Sequence, residues 1–432
     1  GPTIYYKLVV KKSSLQKLRD HYLSPSLSLS YEEPINIVKG KGQYLYDKNG
    51  KKYLDGINNI QHVGHCHPKV LEATIIQSKK LNTNTRYLDD TIVNYAEALT
   101  AKLPDSLNIC FFTNSGSESN DLALRLARNY INSKKTIVLD GAYHGHLISL
   151  IDISPYKYNS QGGEGCPDFV HEVPMPDPFR GIHKGPDSGK KYAGELKNIL
   201  KNIREPCTFI AESIMGCGGQ IVPPRDFFHE AYHYIKKDGG LCIADEVQIG
   251  FGRLGTAFWG FEFQKIVPDI VTLGKSIGNG HPLSVVITNR EIANRFNNGM
   301  EYFNSFGGNP VSCAIGHAVL KVIEEEELQQ NAYKVGNFLK KMLVELKDKH
   351  SIIGDVRGGG LFLGIELVKD LKTLEPSKQK THFLINQMKK KGILLSSDGP
   401  DHNVIKIKPP MVFNSENASF LVDTLDSILK KI

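Results

Sequence analysis

Short apolar runs alternate with amphipathic stretches through the middle of the chain. The stretch SESNDLALRLARNY (117–130) places Leu122, Leu126 and Tyr130 on one face of a helix. Near-continuous apolar strands separated by such helices predict an α/β domain with a mostly parallel central sheet covered on both faces. The predicted strands lie in NICFFTN (108–114), TIVLD (136–140), TFIAES (208–213), LCIAD (241–245) and DIVTLGK (269–275).

The two ends of the chain have a different pattern. We expect residues 1–35 to form a loosely patterned lead-in, with an extended loop in its serine-rich part. Asn49-Gly50 predicts the turn of a single hairpin over 37–55, with VKGKGQYLYD as its first strand. After about residue 315, a long helical stretch, several strands and a last helix predict a smaller α+β domain. The predicted domains are 1–59, an N-terminal segment contributing to the small domain, 60–314, the large domain, and 315–432, the C-terminal small domain.

Composition and charge exclude several classes of protein. The net charge of +7 is mild over 432 residues and is spread along the chain, which disfavours a nucleic-acid binder. No run approaches the ~20 apolar residues of a membrane span. Seven scattered cysteines without a C-x-x-C pair indicate reduced thiols in an intracellular protein. The segment HVGHCHP (62–68) lacks the pattern of a known metal motif, so we predict a structural turn there and no metal site.

Polar residues follow the carboxyl ends of the predicted strands. In parallel sheets these ends meet at one edge, where ligands bind. We therefore predict one site built from Asn114, Ser115, Gly116 and Ser117, from Tyr143 and His144, from Glu212, from Asp245, Val247 and Gln248, and from Lys275.

Lys275 and Asp245 suggest a specific chemistry. Each ends a strand, and a carboxylate at the end of a buried strand needs a partner. A lysine that binds an aldehyde and an aspartate that pairs with a pyridine nitrogen are what pyridoxal phosphate requires. Gly116 and Ser117 open a helix whose free N–H groups suit the cofactor phosphate. The alternatives are a solvated lysine, an ordinary helix cap with Ser117 as the N-cap, and a packed Tyr143.

Two phosphate-binding motifs fail on inspection. Gly274-Lys275-Ser276 lacks the upstream glycine of a P-loop, because residue 269 is Asp. The Gly40-x-Gly42 pair lacks the third glycine of a dinucleotide fingerprint, because residue 45 is Leu.

Seven ordered motifs resemble the class III aminotransferase family. The resemblance covers nearly the whole chain, from about residue 35 to residue 430, and the family contains fold-type I pyridoxal phosphate enzymes that act as dimers. The resemblance implies that Lys275 holds the cofactor covalently, Asp245 pairs with the pyridine nitrogen, and Ser305 reaches the cofactor of the neighbouring subunit. The motifs are GHCHP, NSGSESND, AYHG, ESIMGCGGQ, ADEVQIGFGR, LGKSIGNG and NSFGGNPVSCA.

The same resemblance assigns roles to further residues. Gln248 would reach the phenolic oxygen, Tyr143 would stack on the ring, and Gly116 with Ser117 would bind the phosphate. The expected catalytic residues are Lys275 and Asp245. The expected cofactor-binding residues are Gly116, Ser117, Tyr143, His144, Glu212, Asp245, Gln248, Lys275 and Ser305.

The finer motifs GINNIQHVGHCHP, SPYK, SSDGP and KIKPPM are similar to those of the phospho-lyase branch of that family. Family members that act on α-amino acids usually carry arginine at the position of Lys406, which suits bidentate carboxylate binding. Cys217 stands where several members place a glutamate that masks this arginine. We therefore expect Lys406 to bind substrate and the reaction to eliminate phosphate from O-phosphoethanolamine or from 5-phosphohydroxy-L-lysine. The alternatives are an aminotransferase of the alanine–glyoxylate or ω-amine type and a cofactor-binding protein that has lost activity.

The resemblance also suggests partners and a compartment. We expect a homodimer with sites at the interface, a phosphorylated amine as substrate, and neither nucleic acid nor membrane as partner. The family suggests mitochondria, whereas the start of the sequence has no transit-peptide pattern, so the cytosol stays an alternative.

Overall fold

A seven-stranded sheet lies at the centre of the molecule. The computed structural model describes residues 13–432, so the first twelve residues of the predicted N-terminal segment lie outside it. The strand order is β4-β10-β9-β8-β7-β5-β6, and only β10 runs antiparallel to its neighbours. The strands of this sheet are β4 (Ile109–Thr113), β5 (Thr136–Leu139), β6 (Val170–Val173), β7 (Thr208–Ala211), β8 (Leu241–Asp245), β9 (Ile270–Leu273) and β10 (Ser284–Thr288).

Two four-stranded sheets complete the β structure of residues 13–432. One has the order β1-β2-β3-β13 and the other β11-β12-β15-β14. Strand β3 pairs in parallel with β13, so a strand near the start of the described chain shares a sheet with one near its end. The strands are β1 (Ile37–Lys41), β2 (Tyr44–Asp47), β3 (Lys52–Asp55), β11 (Ile353–Gly359), β12 (Phe362–Leu367), β13 (Ile393–Leu394), β14 (Ser396–Asp398) and β15 (Val404–Ile407).

Helices cover the sheets and connect their strands. A short 3₁₀ turn over Lys275–Gly278 follows β9. Among residues 13–432, none of the helices combines the length and the apolar character that crossing a membrane requires. The helices are α1 (Ser14–Tyr22), α2 (Pro68–Lys80), α3 (Asp90–Thr100), α4 (Gly116–Ile131), α5 (Ile148–Ile151), α6 (Pro155–Tyr158), α7 (Ser188–Leu200), α8 (Phe227–Lys237), α9 (Gly260–Phe263), α10 (Arg290–Phe296), α11 (Pro310–Glu325), α12 (Leu328–Lys349), α13 (Lys378–Lys390) and α14 (Ser415–Leu429).

The central sheet is buried on both faces because its strands alternate between two apolar clusters. On β8, Ile243 joins the cluster that contains Leu122 and Leu126 of α4. Its neighbours Cys242 and Ala244 join the opposite cluster, which contains Phe228 of α8. This arrangement confirms the predicted α/β fold with a mostly parallel sheet.

The register of the strands places the predicted site residues along one edge of the central sheet. Ala211 at the end of β7 pairs with Ala244, and Asp245 pairs with Thr272. Because β10 is antiparallel to both β9 and β4, these two strands point the same way. The segments that follow β4, β5, β7, β8 and β9 therefore emerge along a common edge.

Several predicted elements differ from the structure. The single hairpin over 37–55 is wrong: the chain reverses at Gly42, where φ is +57°, and forms a three-stranded meander. The lead-in contains helix α1, which the sequence pattern did not predict. The long helical stretch is two helices, α11 and α12, because Glu327 adopts a left-handed conformation between them.

Candidate active site

A cavity of about 230 Å³ opens at the carboxyl edge of the central sheet. Of the ten residues expected to serve the site, eight line this cavity, and Ser305 and Lys406 do not. The residues that line the cavity are Ser115, Gly116, Ser117, Asn120, Tyr143, His144, Gly145, His146, Glu212, Asp245, Val247, Gln248 and Lys275.

Lys275 lies just after β9, at the carboxyl edge of the central sheet. Its φ of +38° lies in the left-handed region, which is strained for a non-glycine residue and is frequent at functional sites. Burial lowers the pKa of its amine, and the nearby acidic groups of Cys217 and Glu212 oppose this shift only when they are ionised. A lowered pKa makes the neutral, nucleophilic amine more accessible near neutral pH.

Asp245 is buried and fixed by three donors. Its Oδ2 accepts from Asn120 Nδ2 at 2.9 Å and from His144 Nδ1 at 2.8 Å. Its Oδ1 accepts from the Val247 N–H at 3.1 Å. Asn120 is held in turn, because its Oδ1 accepts from the Thr272 hydroxyl at 2.7 Å. The carboxylate is therefore oriented before any ligand arrives.

The start of α4 corrects the predicted helix cap. Ser115, rather than Ser117, is the N-cap, and its hydroxyl accepts from the Glu118 N–H at 3.1 Å. Gly116 and Ser117 are thus the first two helical residues, whose N–H groups have no partner within a helix. The Ser117 hydroxyl accepts from the His146 N–H at 3.1 Å. This corner can bind an anionic group through N–H donors and the helix dipole.

Two glycines allow neighbouring loops to approach the start of α4 closely. A Cβ on Gly274 would lie 3.2 Å from the Cα of Gly116. A Cβ on Gly145, whose φ is +138°, would lie 2.6 Å from the Ser117 hydroxyl oxygen. Only glycine leaves the space that a phosphate needs beside these donors.

Glu212 is buried beside the catalytic pair. Its Oε2 accepts from the Gly216 N–H at 3.1 Å. Burial, and then the negative charge of Asp245, raises the pKa of Glu212 well above its ordinary value. Within the described residues its Oε1 has no hydrogen-bond partner, as is also true of His144 Nε2. Two polar atoms at this edge are therefore available to a bound group.

Gln248 is oriented by two residues that the sequence analysis missed. Its Oε1 accepts from Asn59 Nδ2 at 2.8 Å and from Lys408 Nζ at 3.0 Å. With the oxygen engaged, the Nε2 donor is left for the cavity. Lys408 is buried, and burial with the positive charges of Lys406 and Lys275 lowers its pKa to about 7. Its place in VIKIKPP, two residues after Lys406, is the one signal that could have identified it.

Tyr143, Tyr156 and an ion pair lie on the side of the site where Lys406 is expected to bind substrate, and we call this side the substrate end. The Tyr143 and Tyr156 rings meet edge to face with centroids 6.2 Å apart. Lys406 Nζ lies 2.9 Å from Asp398 Oδ1, and the charge of Lys406 lowers the pKa of Lys275. Cys217 is close enough to Asp398 and Glu212 that their charges, after burial, raise its pKa to about 12. Its thiol is therefore protonated at neutral pH.

Ser305 is exposed and lies outside the cavity of its own chain. Its neighbour Phe306 is 71% exposed. The three histidines of HVGHCHP contact three different partners: His62 Nε2 lies 2.7 Å from the Phe251 carbonyl, His65 Nε2 2.7 Å from Asp55, and His67 Nε2 2.8 Å from Glu326.

The arrangement fits pyridoxal phosphate. The open corner beside Gly116 and Ser117 matches the phosphate, Asp245 matches the pyridine nitrogen, and Gln248 Nε2 supplies a donor for the phenolic oxygen. Lys275 supplies the amine. The orphaned Glu212 Oε1 and the space kept by Gly145 are also accounted for by a bound group.

Comparisons with known proteins agree with this fit. The family described as aminotransferase class-III matches residues 28–429. The chain is 50% identical to an alanine–glyoxylate aminotransferase 2-like protein of Drosophila melanogaster, over 95% of this chain and 85% of that protein. It is 42% identical to ethanolamine-phosphate phospho-lyase homolog 1 of Caenorhabditis elegans, over 98% and 94%.

A solved structure extends the likeness to the fold. The structure of a phospholyase from Arthrobacter in complex with phosphoethanolamine superposes with a TM-score of 0.92 and 35% identity, over 97% of this chain and all of that one. Fold and site therefore define a fold-type I enzyme that uses pyridoxal 5′-phosphate. The chain belongs to the class III aminotransferase family.

Proposed function

We propose that the protein is a pyridoxal-phosphate-dependent phospho-lyase that eliminates phosphate from an O-phosphorylated amine. The observation that carries the proposal is the substrate end of the site. Lys406, in the ion pair with Asp398, stands where the family resemblance places arginine in most members that act on α-amino acids, and none of the side chains lining the cavity of the described chain is arginine. An ammonium binds a phosphate well but lacks the planar fork that grips a carboxylate.

The relatives support the same class of reaction. A C. elegans relative is named a phospho-lyase homolog, and the Arthrobacter phospholyase was solved with phosphoethanolamine. We take O-phosphoethanolamine as the first candidate substrate and 5-phosphohydroxy-L-lysine as the second. The two share a phosphate on the carbon next to the one that bears the reacting amine.

The chain's own residues perform the acid–base work. Pyridoxal phosphate, when bound, supplies an electron sink for charge that develops on the carbon beside the amine nitrogen. Asp245, held by Asn120 and His144, keeps the pyridine nitrogen protonated. Lys275 Nζ removes the proton from the carbon bearing the amine, which its lowered pKa favours.

Elimination then follows from the position of the leaving group. The electron pair left by the proton forms a carbon–carbon double bond as the bond from the neighbouring carbon to the phosphate oxygen breaks. Water hydrolyses the released product to an aldehyde and ammonia. For O-phosphoethanolamine the balance is substrate plus water to acetaldehyde, ammonia and phosphate, so no keto acid is consumed.

We propose further that the enzyme is a homodimer in which Ser305 serves the partner's site. Ser305 is exposed and does not line the cavity of its own chain. Apolar side chains are exposed nearby in sequence, at Met300, Phe303 and Phe306. A surface of this kind is typical of an interface between protein chains.

An aminotransferase is the second candidate. It is favoured by the D. melanogaster relative, which is 50% identical and is named after an alanine–glyoxylate aminotransferase. Such an enzyme needs a keto acid to complete its cycle, and this requirement separates the two functions. The intracellular location, in mitochondria or cytosol, stays a prediction.

The test is release of phosphate and ammonia from O-phosphoethanolamine by the holoenzyme without any keto acid. We expect equimolar release over many turnovers, and its loss in Lys275→Ala. The same assay with 5-phosphohydroxy-L-lysine ranks the two substrates. Absence of release, together with amine transfer to pyruvate or glyoxylate, would establish the aminotransferase instead.

A further inference from the structure

A second cavity of about 280 Å³ lies next to the active site. We call it the outer cavity. It lies between the end of β5, helix α6 and the segment that joins β14 to β15. Its lining residues are Asp140, Gly141, Pro155, Tyr156, Lys157, Asn159, Ser160, Pro400 and His402.

Two tyrosines connect the outer cavity to the active site. Tyr143 lines the active-site cavity and Tyr156 lines the outer cavity, and their ring centroids are 6.2 Å apart. The Tyr156 N–H donates to the Ala142 carbonyl at 3.1 Å, which fixes α6 against the loop that carries Tyr143. The Gly399 N–H donates to the Cys217 carbonyl at 2.9 Å, so the far wall is also tied to the active site.

Lys157 differs from the other lysines at the substrate end because its ammonium forms no ion pair within the described residues. Its Nζ lies 5.7 Å from the centroid of the Tyr143 ring and 5.8 Å from that of Tyr156. Among the described residues, no carboxylate lies within ion-pair distance of it. By contrast, Lys406 is paired with Asp398 at 2.9 Å, and Lys408 donates to Gln248 at 3.0 Å.

We propose that the outer cavity receives the phosphate of the substrate and that Lys157 supplies the positive charge that binds it. The proposal rests on the proposed function and deepens it, because it locates the group that leaves. An exposed ammonium that lies over aromatic faces has no carboxylate partner to give up, so it can pair directly with an incoming dianion. Lys406, which is paired with Asp398, then supplies a second positive charge at the substrate end.

The remaining polar side chains of the outer cavity are compatible with an anion. His402, Asn159 and Ser160 can each donate a hydrogen bond. Asp140 is the one carboxylate among the lining residues. Burial and the charge of Glu172 raise the pKa of Asp140, which weakens its opposition to a phosphate.

The test compares Lys157→Met with a matched variant, Lys197→Met. Lys197 Nζ also lies over a tyrosine ring, 5.1 Å from the centroid of Tyr234, but on α7, away from both cavities. The readouts are the dissociation constant of O-phosphoethanolamine, from the initial change in cofactor absorbance on rapid mixing, and the dissociation constant of inorganic phosphate, from calorimetric titration of the holoenzyme. We expect Lys157→Met to weaken both by about tenfold or more, Lys157→Arg to recover most of the loss, and Lys197→Met to leave both unchanged.

Three results would overturn the assignment. One is binding of both ligands by Lys157→Met within about twofold of the wild-type values. Another is an equal loss for ethanolamine, which carries no phosphate. A third is weaker binding of inorganic phosphate in Asp140→Asn, because removal of a carboxylate that opposes an anion should not weaken its binding.

These binding measurements are independent of the reaction. If the wild-type enzyme binds phosphate through Lys157 but releases none from O-phosphoethanolamine, the phospho-lyase function fails and the phosphate site stands. If the enzyme eliminates phosphate and Lys157→Met does so with unchanged KM, the phosphate site fails and the function stands.

Discussion

At the residue scale, burial of the Lys408 amine destabilises the folded protein, although the same amine orients Gln248 in the active site. Its amine is buried and donates to Gln248, yet its pKa is lowered to about 7 from an ordinary 10.5. The unfolded chain therefore binds more protons than the folded chain between pH 7 and pH 10.5. Since stability rises with pH wherever the unfolded state binds more protons, the destabilisation by Lys408 is full below pH 7 and is relieved as the pH rises to 10.5.

Lys408→Met is therefore expected to stabilise the cofactor-free protein near pH 7 by about 1–3 kcal/mol and to weaken cofactor binding. The gain should shrink as the pH approaches 10, which urea unfolding at several pH values measures. Equilibrium dialysis measures cofactor affinity, which falls because Gln248 loses one of the two donors that orient it. A constant difference in stability at all pH values would contradict this account.

Asn120 is one of the three donors that hold Asp245 in place. Its Nδ2 donates to both the Asp245 carboxylate and the His144 carbonyl, at 2.9 and 2.8 Å. Asn120→Ala leaves a buried carboxylate one donor short, which costs about 1–3 kcal/mol. We expect about a tenfold or greater loss of cofactor affinity, measured by fluorescence titration, with Asn120→Asp still weaker because it sets a second carboxylate beside the first. Wild-type affinity in both variants would show that Asp245 needs no such support.

Single residues were predictable where local sequence determines them. Lys275 and Asp245 end apolar strands, and the carboxyl ends of parallel strands meet at one edge. Asn120 and Lys408 were not assigned to the site, because their roles arise from tertiary contacts. Asn120 turns inward from the second turn of α4, and Lys408 arrives from a strand end 160 residues after Gln248.

At the element scale, the contact between the loop that follows β5 and the start of α4 depends on Gly145. A Cβ at this position would meet Leu150 at 2.4 Å and the Ser117 hydroxyl at 2.6 Å, and φ is +138°. Gly145→Ala is expected to destabilise the protein by about 1–3 kcal/mol and to impair cofactor binding, because the first turn of α4 must shift.

Helix α7 offers the matched control. A Cβ on Gly194, within α7, would meet nothing within 4 Å. Gly194→Ala should therefore stabilise the protein by about 0.5–1 kcal/mol and leave cofactor binding alone. Differential scanning calorimetry of both variants checks the pair, and equal effects at the two positions would refute the argument.

Elements with strong apolar runs were predicted well, and those with mixed patterns were not. Strands β4, β5, β7, β8 and β9 all lie within the predicted runs. The turn at Gly42 was missed because Asn49-Gly50 is the stronger local signal and the flanking residues read equally well as one long strand. Strands β6 and β10 were not predicted: β6 is short and carries His171 and Glu172, and β10 follows the 3₁₀ turn with no connecting helix.

At the scale of the whole molecule, exposed apolar side chains indicate an assembly. Helix α2 exposes Leu71, Ile75 and Ile76, and Leu88 in the following segment is fully exposed.

We expect a dimer by analytical ultracentrifugation. Ile75→Glu combined with Leu88→Asp should yield monomers with weakened cofactor binding, because the proposed Ser305 hydroxyl is lost from each site. The control Leu371→Asp changes another exposed leucine, 50% exposed. A monomeric wild-type enzyme with full cofactor affinity would contradict the shared site.

The fate of the cofactor during turnover tests the central claim most directly. The measurement mixes the holoenzyme with excess O-phosphoethanolamine, without a keto acid, and follows the cofactor spectrum together with phosphate release. The account predicts many phosphates released per active site while the cofactor returns to its lysine-bound form on Lys275. Conversion of the cofactor to pyridoxamine phosphate, with no more than one product formed per site, would contradict it and identify an aminotransferase.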